Sequence, residues 1–157
     1  MEEIVPAASH KNILMAVDDS ANSRRAVEYT AQLLGGVEGI HVTLLHVIPL
    51  PEEDFFPDEN QKEEWLRHYR KKMEGTLEDY RQVLVKAGFE EDALDKRLPV
   101  RNCPSMAECI LAERGGGAYG TIVVGRQGLS RKEEFLFGSI SSKIVNHARQ
   151  CTVWVVE

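Results

Sequence analysis

The chain has no long apolar segment. Its longest uninterrupted run of apolar residues has five members, at positions 13–17, whereas a membrane-spanning helix needs about 20. The first ten residues, MEEIVPAASH, are acidic and lack the apolar stretch of ~7–15 residues that a secretory signal contains. We therefore expect no membrane partner, no export and a cytoplasmic location.

Cysteine is scarce as well, and the common metal-binding motifs are absent. The three cysteines, Cys103, Cys109 and Cys151, make an odd number and show no C-x-x-C spacing. We therefore expect small, buried, reduced thiols rather than a disulfide framework. Neither H-E-x-x-H nor a paired Cys/His cluster is present, so the sequence predicts no structural zinc site and identifies no metal ligand.

Positive charge is in the minority. The net charge is −6, from 19 Lys and Arg against 25 Asp and Glu. Binding of nucleic acid requires clustered cations that contact phosphates, so we expect no nucleic-acid partner. Residues 93–157 nevertheless hold nine basic and six acidic side chains, and this local excess suits one small polyanion.

Five apolar, strand-like segments alternate with four helical ones. The strands are expected at KNILMAVD, IHVTLLHVI, ALDKRLPV, GTIVVG and CTVWVVE. Their Val, Ile and Leu content indicates burial on both faces. Between them, helical spacing, an N-cap at Ser20 and a stop at Gly88 mark helices, the longest over residues 59–87. The alternation predicts an α/β fold: an open, Rossmann-like parallel sheet with helices on both faces.

No internal repeat or linker interrupts this order, so we expect a single domain over residues 12–157. Residues 1–11 show no periodicity and are expected to form a flexible tail. In an open parallel sheet, ligands bind beyond the carboxyl ends of the strands, where the strand order reverses. Asp18 and Asp19 follow the first strand, and a glycine-rich stretch follows the fourth.

The stretch after the fourth strand has the pattern G-x₂-G-x₉-G-S. Its fixed residues are Gly125, Gly128, Gly138 and Ser139, and three cations, Arg126, Arg131 and Lys132, lie among them. Glycines let a backbone approach a ligand closely, and the helix expected to start at Ser139 offers unpaired N–H groups to an anion. We interpret the stretch as a phosphate-binding loop. The alternative is a plain connection that ends in a turn and an N-cap.

The glycine pattern, the opening ILMAVDDS, the strand TLLHV and the closing strand after a cysteine resemble the universal stress protein family, specifically its ATP-binding branch. The resemblance extends over nearly the whole chain, about residues 12–156. It implies a five-stranded parallel sheet of order 3-2-1-4-5. It also implies that ATP, accompanied by Mg²⁺, binds across the carboxyl edge of that sheet.

The same resemblance implies individual roles. Asp18 matches the carboxylate that hydrogen-bonds the ribose, and Val47 matches the residue whose backbone meets the adenine edge. The complete predicted nucleotide site is Ala16, Val17, Asp18, Val47, Val124, Gly125, Arg126, Gly128, Gly138, Ser139 and Ile140. In it, Ala16 and Val124 wall the base, and the glycines, Ser139 and the Ile140 backbone hold the phosphates. Arg126 is expected either to contact a phosphate or to point to solvent, and His46 to be a packed strand residue rather than a ligand.

The predicted function is that of an ATP-binding stress-response or signalling module. No residue is identified that would orient an attacking water, so we assign no catalytic residue and expect slow hydrolysis at most. The alternatives are a slow ATPase, a binder of AMP or a cyclic nucleotide in the same pocket, and a scaffold that binds no nucleotide.

The last strand, residues 152–156, is expected to be a dimer interface. In the order 3-2-1-4-5 it lies at an edge, and its succession of apolar side chains makes both faces apolar. Exposed apolar edges promote aggregation unless they are covered. We therefore expect a homodimer through this strand, as the family resemblance also implies. The alternative is a monomer whose own helices bury the strand.

Overall fold

The computed structural model of the chain describes residues 10–115, 118–126 and 140–157. The strands in these ranges are β1 (Asn12–Ala16), β2 (His41–Leu45), β3 (Ile48–Pro49), β4 (Leu94–Arg97), β5 (Val100–Arg101), β6 (Thr121–Gly125) and β7 (Thr152–Val156). The helices are α1 (Ala21–Leu34), α2 (Glu59–Lys86), α3 (Met106–Arg114) and α4 (Ile140–His147). Short 3₁₀ turns lie at Glu53–Phe55 and Glu91–Ala93.

The larger sheet has five parallel strands in the order β4-β2-β1-β6-β7. The predicted fold class, an open parallel α/β sheet with helices on both faces, is confirmed. The strand numbers differ from the predicted 3-2-1-4-5 because β3 and β5 form a two-stranded sheet of their own, whereas the sequence predicts each as part of a longer strand. The strand order reverses at β1, so the carboxyl ends of β1, β2 and β6 lie side by side.

Pro99 explains the separate small sheet. Three backbone hydrogen bonds of 2.9–3.0 Å continue the pairing of β2 with β4 beyond their ends, from His46, Ile48 and Leu50 to the carbonyls of Arg97, Pro99 and Arg101. Pro99 has no N–H to donate in return, so the ladder is interrupted there. The apolar pattern predicts one strand in each of these regions and does not reveal this break.

Helices cover both faces of the sheet. On one face, Ile13 and Met15 of β1 pack in a cluster with buried residues of α1 and α2. On the other face, Leu14 packs in a second cluster with buried residues of α3 and α4. Successive residues of β1 thus enter opposite clusters, as a strand buried on both faces requires.

The helix signals are confirmed in their main points. Ser20 caps α1, and its hydroxyl oxygen accepts a hydrogen bond from the N–H of Ser23 at 3.2 Å. α2 ends within one residue of the expected position. Its apolar stripe, however, reaches the core only in its second half, where Met73, Leu77, Tyr80 and Leu84 are buried.

The expectation of reduced thiols is wrong for two of the three cysteines. Cys103 and Cys109 form a disulfide, and Cys151 is free. Ser105 caps α3, so the chain turns there and brings Cys103 back beside the first turns of the helix. The resulting Cα–Cα distance of 5.9 Å is normal for a disulfide.

The tail predicted over residues 1–11 lies almost entirely outside the described residues, which begin at His10. The domain boundary at residue 12 therefore stays a prediction. No helix in the described ranges combines the length and the apolar character needed to cross a membrane.

Candidate functional site

A cavity of about 120 Å³ lies at the carboxyl edge of the sheet, beside the ends of β1, β2 and β6. Seven of the predicted nucleotide-site residues line it: Ala16, Val17, Asp18, Val47, Val124, Gly125 and Ile140. These residues come from separate parts of the chain, and the reversal of strand order brings them together. Their contact with a nucleotide stays a prediction.

Five further residues line the cavity that were not predicted from the sequence: Ser23, Leu45, His46, Met106 and Ile110. Met106 and Ile110 lie four residues apart in α3, so they share one face of that helix. Their spacing was a usable signal, but the sequence did not show which face would border the cavity. His46 is buried, as expected of a packed strand residue, and also borders the cavity.

The predicted phosphate loop falls outside the described residues. Gly128, Gly138 and Ser139, and the cations Arg131 and Lys132, belong to residues 127–139. The loop's role as a phosphate-binding element is therefore still a prediction.

One carboxylate oxygen of Asp18 is fixed by the start of α1. Oδ1 accepts hydrogen bonds from the Ser20 N–H and the Ser23 hydroxyl, both at 2.9 Å. Burial alone would raise the pKa of Asp18, but the hydrogen bonds from Ser20 and Ser23 outweigh it and hold the pKa below its ordinary value. The carboxylate is thus ionised and oriented, and neither hydrogen bond uses Oδ2.

His46 connects the end of β1 to α2. Its Nδ1 lies 2.7 Å from the Val17 carbonyl oxygen, and its Nε2 lies 2.8 Å from the Tyr69 hydroxyl. Because a carbonyl oxygen only accepts, Nδ1 carries the proton and Nε2 accepts from Tyr69. Burial lowers the pKa of His46 below its ordinary value, and this effect exceeds the opposing influence of the Val17 carbonyl and Asp18. The imidazole is therefore held as one neutral tautomer.

Gly125 is required by the close approach of α1. A Cβ at this position would lie 2.6 Å from the carbonyl carbon of Asn22 and 2.9 Å from the nitrogen of Ser23. Both neighbours are backbone atoms, so no side-chain rotation relieves the clash. Gly125 thus has a packing role that is separate from the phosphate contact predicted for it.

Arg126 is not among the residues that line the cavity. Its guanidinium pairs with the Glu157 carboxylate at 2.8 Å, and its backbone N–H donates to the Val156 carbonyl at 2.6 Å. The sequence left open whether Arg126 contacts a phosphate or points to solvent. In the structure its partner is the C-terminal residue.

Asp19, next to the site carboxylate, pairs with Lys72 of α2 at 3.1 Å, and both side chains are exposed. In the described part of the chain, no group of three or more His, Cys, Asp or Glu side chains is arranged to hold a metal ion. Among the described residues that line the cavity, Asp18 is the one that carries a carboxylate.

A family model for the universal stress proteins matches residues 9–157 of the chain. Comparison with curated proteins gives no match. Among solved structures, the universal stress protein UspA from Lactobacillus plantarum is 20% identical with a TM-score of 0.72, and the match covers 97% of this chain and 100% of that one.

Two further similar structures contain nucleotides. The universal stress protein from Archaeoglobus fulgidus in complex with dAMP is 20% identical, with a TM-score of 0.64 and coverage of 95% of this chain and 99% of that one. A universal stress protein in complex with cAMP is 17% identical, with a TM-score of 0.67 and coverage of 95% and 98%. At these identities the similarity shows a shared fold.

Proposed function

The chain belongs to the universal stress protein family, and on that basis we propose that it binds an adenine nucleotide in the cavity at the carboxyl edge of its sheet. The observation that carries the proposal is one oriented carboxylate, Asp18, beside apolar walls that include Val47 and Val124. A purine ring offers two apolar faces to such walls, and a ribose offers hydroxyl donors to a carboxylate. The dAMP and cAMP complexes of similar proteins support this assignment.

The proposed roles follow the cavity from base to phosphate. Ala16 and Val124 contact the faces of the adenine, the Val47 backbone meets its edge, and Asp18 Oδ2 accepts from a ribose hydroxyl. The phosphates are assigned to Gly125, Gly128, Gly138, Ser139 and the Ile140 backbone. We assign ATP as the nucleotide, with Mg²⁺ on its phosphates, an ion that commonly needs only one or two protein carboxylates.

Binding without rapid turnover is the proposed activity. Phosphoryl transfer requires a group that orients the attacking water and cations that offset the developing charge. Arg126, one of the three cations of the glycine-rich stretch, pairs with Glu157 instead. The Asp18 carboxylate accepts hydrogen bonds from Ser20 and Ser23, and it lies in the part of the cavity assigned to the ribose. Slow hydrolysis is the alternative activity, and a steady-state phosphate-release assay tests it.

The proposal includes a cytoplasmic homodimer formed through β7. This strand is the last in the described sheet, and 43% of Val155 is exposed on it. Trp154 packs edge-on against the half-exposed ring of Tyr29, with centroids 6.2 Å apart, and so extends the apolar surface onto α1. Sedimentation tests this point. The parent should sediment as a dimer and Val155→Glu as a monomer, whereas a monomeric parent would refute the interface.

Calorimetric titration with ATP, AMP, cAMP and dATP tests the function directly. Asp18→Asn removes the charged acceptor, and the loss of about 1.5–3 kcal/mol predicts an affinity at least tenfold weaker. Asp19→Asn is the matched control, because this exposed neighbour pairs with Lys72 and should leave the affinity unchanged. Failure of all four nucleotides to bind, together with native mass spectra that show no bound nucleotide, would refute the proposal.

A further inference from the structure

We propose that Cys103 and Cys109 form a reversible thiol–disulfide site that exchanges with low-molecular-weight thiols of the glutathione type and thereby sets the affinity of the cavity. The exchange itself stands on the position and exposure of the two cysteines. The effect on affinity rests in addition on the proposed nucleotide binding.

The disulfide adjoins the residues of α3 that line the cavity. It joins the segment after β5 to Cys109 in α3, and it encloses the N-cap Ser105 and the lining residue Met106. Ile110, the other lining residue of α3, follows Cys109 directly. Both cysteines pack in the same apolar cluster as the cavity residues Val47, Val124 and Ile140. A change at this bond therefore acts on residues that border the proposed ligand.

The two sulfurs differ in access. Cys103 is partly exposed, whereas only 8% of Cys109 is exposed. Thiol–disulfide exchange requires that a thiolate reach one sulfur and displace the other. An external thiolate therefore attacks Cys103, and Cys109 is the leaving group.

Reduction of the Cys103–Cys109 disulfide consumes two external thiols. The first thiolate attacks the Cys103 sulfur, a mixed disulfide forms on Cys103, and the Cys109 thiolate leaves and takes up a proton. A second thiolate attacks the external sulfur of that mixed disulfide, and Cys103 leaves and is protonated. The two external thiols are oxidised to their disulfide, and their two electrons reduce the protein bond. The reverse reaction uses the external disulfide as the oxidant.

Other contacts hold the surrounding fold when the disulfide opens. Arg101, two residues before Cys103, pairs with the buried carboxylate of Glu113 in α3 at 2.9 Å. The Ser105 hydroxyl accepts from the Glu108 N–H at 3.2 Å and keeps the helix capped. Reduction therefore loosens residues 102–104, the short segment between these anchors, which leads into the capped start of α3 at Met106. Nucleotide binding must then order this segment, which lowers the affinity.

Intact-mass spectrometry in mixtures of reduced and oxidised glutathione tests the exchange without any nucleotide. The folded parent should interconvert between disulfide and dithiol, and Cys151→Ser, the matched control, should do the same without an adduct at position 151. Cys109→Ser should trap one glutathione on Cys103, whereas Cys103→Ser should react at Cys109 at least tenfold more slowly. A disulfide that stays intact in excess reduced glutathione while circular dichroism shows a folded chain would overturn the proposal, as would equal reactivity of the two single variants.

ATP titration of the oxidised and the reduced parent tests the effect on affinity. The reduced form should bind at least tenfold more weakly, because ordering even one of the three released residues costs roughly that factor. Cys103→Ser should match the reduced form under both conditions, and Cys151→Ser should respond like the parent. Equal affinities would overturn the link to the cavity. Absence of binding in both states would refute the proposed function, and the mass-spectrometric result would still decide whether the exchange occurs.

Discussion

Tyr80 of α2 donates its hydroxyl hydrogen bond to the backbone carbonyl of Asp18 over 2.6 Å. The preceding carbonyl, that of Val17, accepts from His46, which in turn accepts from Tyr69 of the same helix. Two consecutive carbonyls at the end of β1 are therefore held from α2. Among the described residues, α2 contributes no side chain to the cavity, yet it fixes the backbone from which the Asp18 carboxylate projects.

Tyr80→Phe tests this positioning. The variant leaves a partly buried carbonyl without its donor, so the free energy of unfolding should fall by about 1–3 kcal/mol. Nucleotide affinity should also weaken severalfold, because the backbone beneath Asp18 is less restrained. Burial and the nearby Asp18 raise the pKa of Tyr80 to about 12, so the hydroxyl stays protonated at any pH suited to the assay. Denaturant melts and calorimetry provide the two measurements.

Tyr29→Phe is the control for this variant, since the Tyr29 side chain is half exposed, packs on Trp154 and does not line the cavity. It should leave the affinity unchanged. If Tyr80→Phe also binds nucleotide as the parent does while losing stability, Tyr80 stabilises the fold but does not position the site.

Stability should decline with acid in a window set by His46. Burial holds the pKa of folded His46 below the ordinary value of 6.5, so below pH 6.5 the unfolded chain takes up a proton that the folded chain does not. The stability that neutral His46 contributes is thus fully present above pH 6.5. It is lost as the pH falls toward the pKa of folded His46, and the free energy of unfolding falls by no more than about 1.4 kcal/mol per pH unit. Unfolding free energies measured from pH 7.5 to 5 should show this slope.

His46→Gln should remove that part of the slope, whatever its effect on absolute stability. Asp18 does not obscure the comparison. The serine hydrogen bonds keep its folded pKa below 3.8, so its contribution is lost only in stronger acid. A variant with the full slope of the parent would assign the pH dependence to other groups.

The sequence predicted the fold class and much of the cavity because both follow from strand order. Once five buried strands alternate with helices, the residues after the first, second and fourth strands must meet at one edge, and Asp18, Val47 and Gly125 do so. The missed residues depend on which face of an element borders the cavity. Periodicity identifies an apolar face of α3 but not what that face packs against. Met106 and Ile110 therefore could not be assigned to the cavity from the sequence.

The sequence also could not predict the direction of a side chain or which residues lie close together in the fold. The charge of Arg126 suggested a phosphate contact, but whether it meets a ligand or Glu157 depends on where the C-terminus lies. The Cys103–Cys109 disulfide similarly depends on the turn at Ser105, which brings together two residues whose spacing matches no familiar motif. Composition and spacing carry no information on either point.

Gly125→Ala should destabilise the protein although it adds a single methyl group. The new Cβ would meet the Asn22 and Ser23 backbone, so either α1 or β6 must shift, at a cost of about 1–3 kcal/mol. Gly75→Ala is the matched control. Gly75 lies in the interior of α2, and a Cβ there would meet no atom within 4 Å. The free energy of unfolding of this variant should therefore rise by about 0.5–1 kcal/mol. Thermal melts of both variants decide the matter, and equal shifts would contradict the packing role of Gly125.

Glu113→Gln tests the anchor between α3 and the strand ends. The Glu113 side chain is 3% exposed and pairs with both Arg97 of β4 and Arg101 of β5. Removing one partner of a fully buried ion pair costs about 3–5 kcal/mol, because the other charge is stranded away from water. Here the two arginine side chains are 41% and 57% exposed and stay hydrated. We therefore expect a smaller loss, about 1–3 kcal/mol in denaturant melts.

The exposed Arg24–Glu28 pair of α1 provides the comparison. Glu28→Gln should change stability by no more than about 0.5 kcal/mol, because solvated pairs one helical turn apart contribute little. The Glu113→Gln loss should also grow when the Cys103–Cys109 disulfide is reduced, since two anchors of the same segment are then missing. A loss for Glu113→Gln as small as that for Glu28→Gln, in both redox states, would show that the arginines do not hold α3 to the sheet.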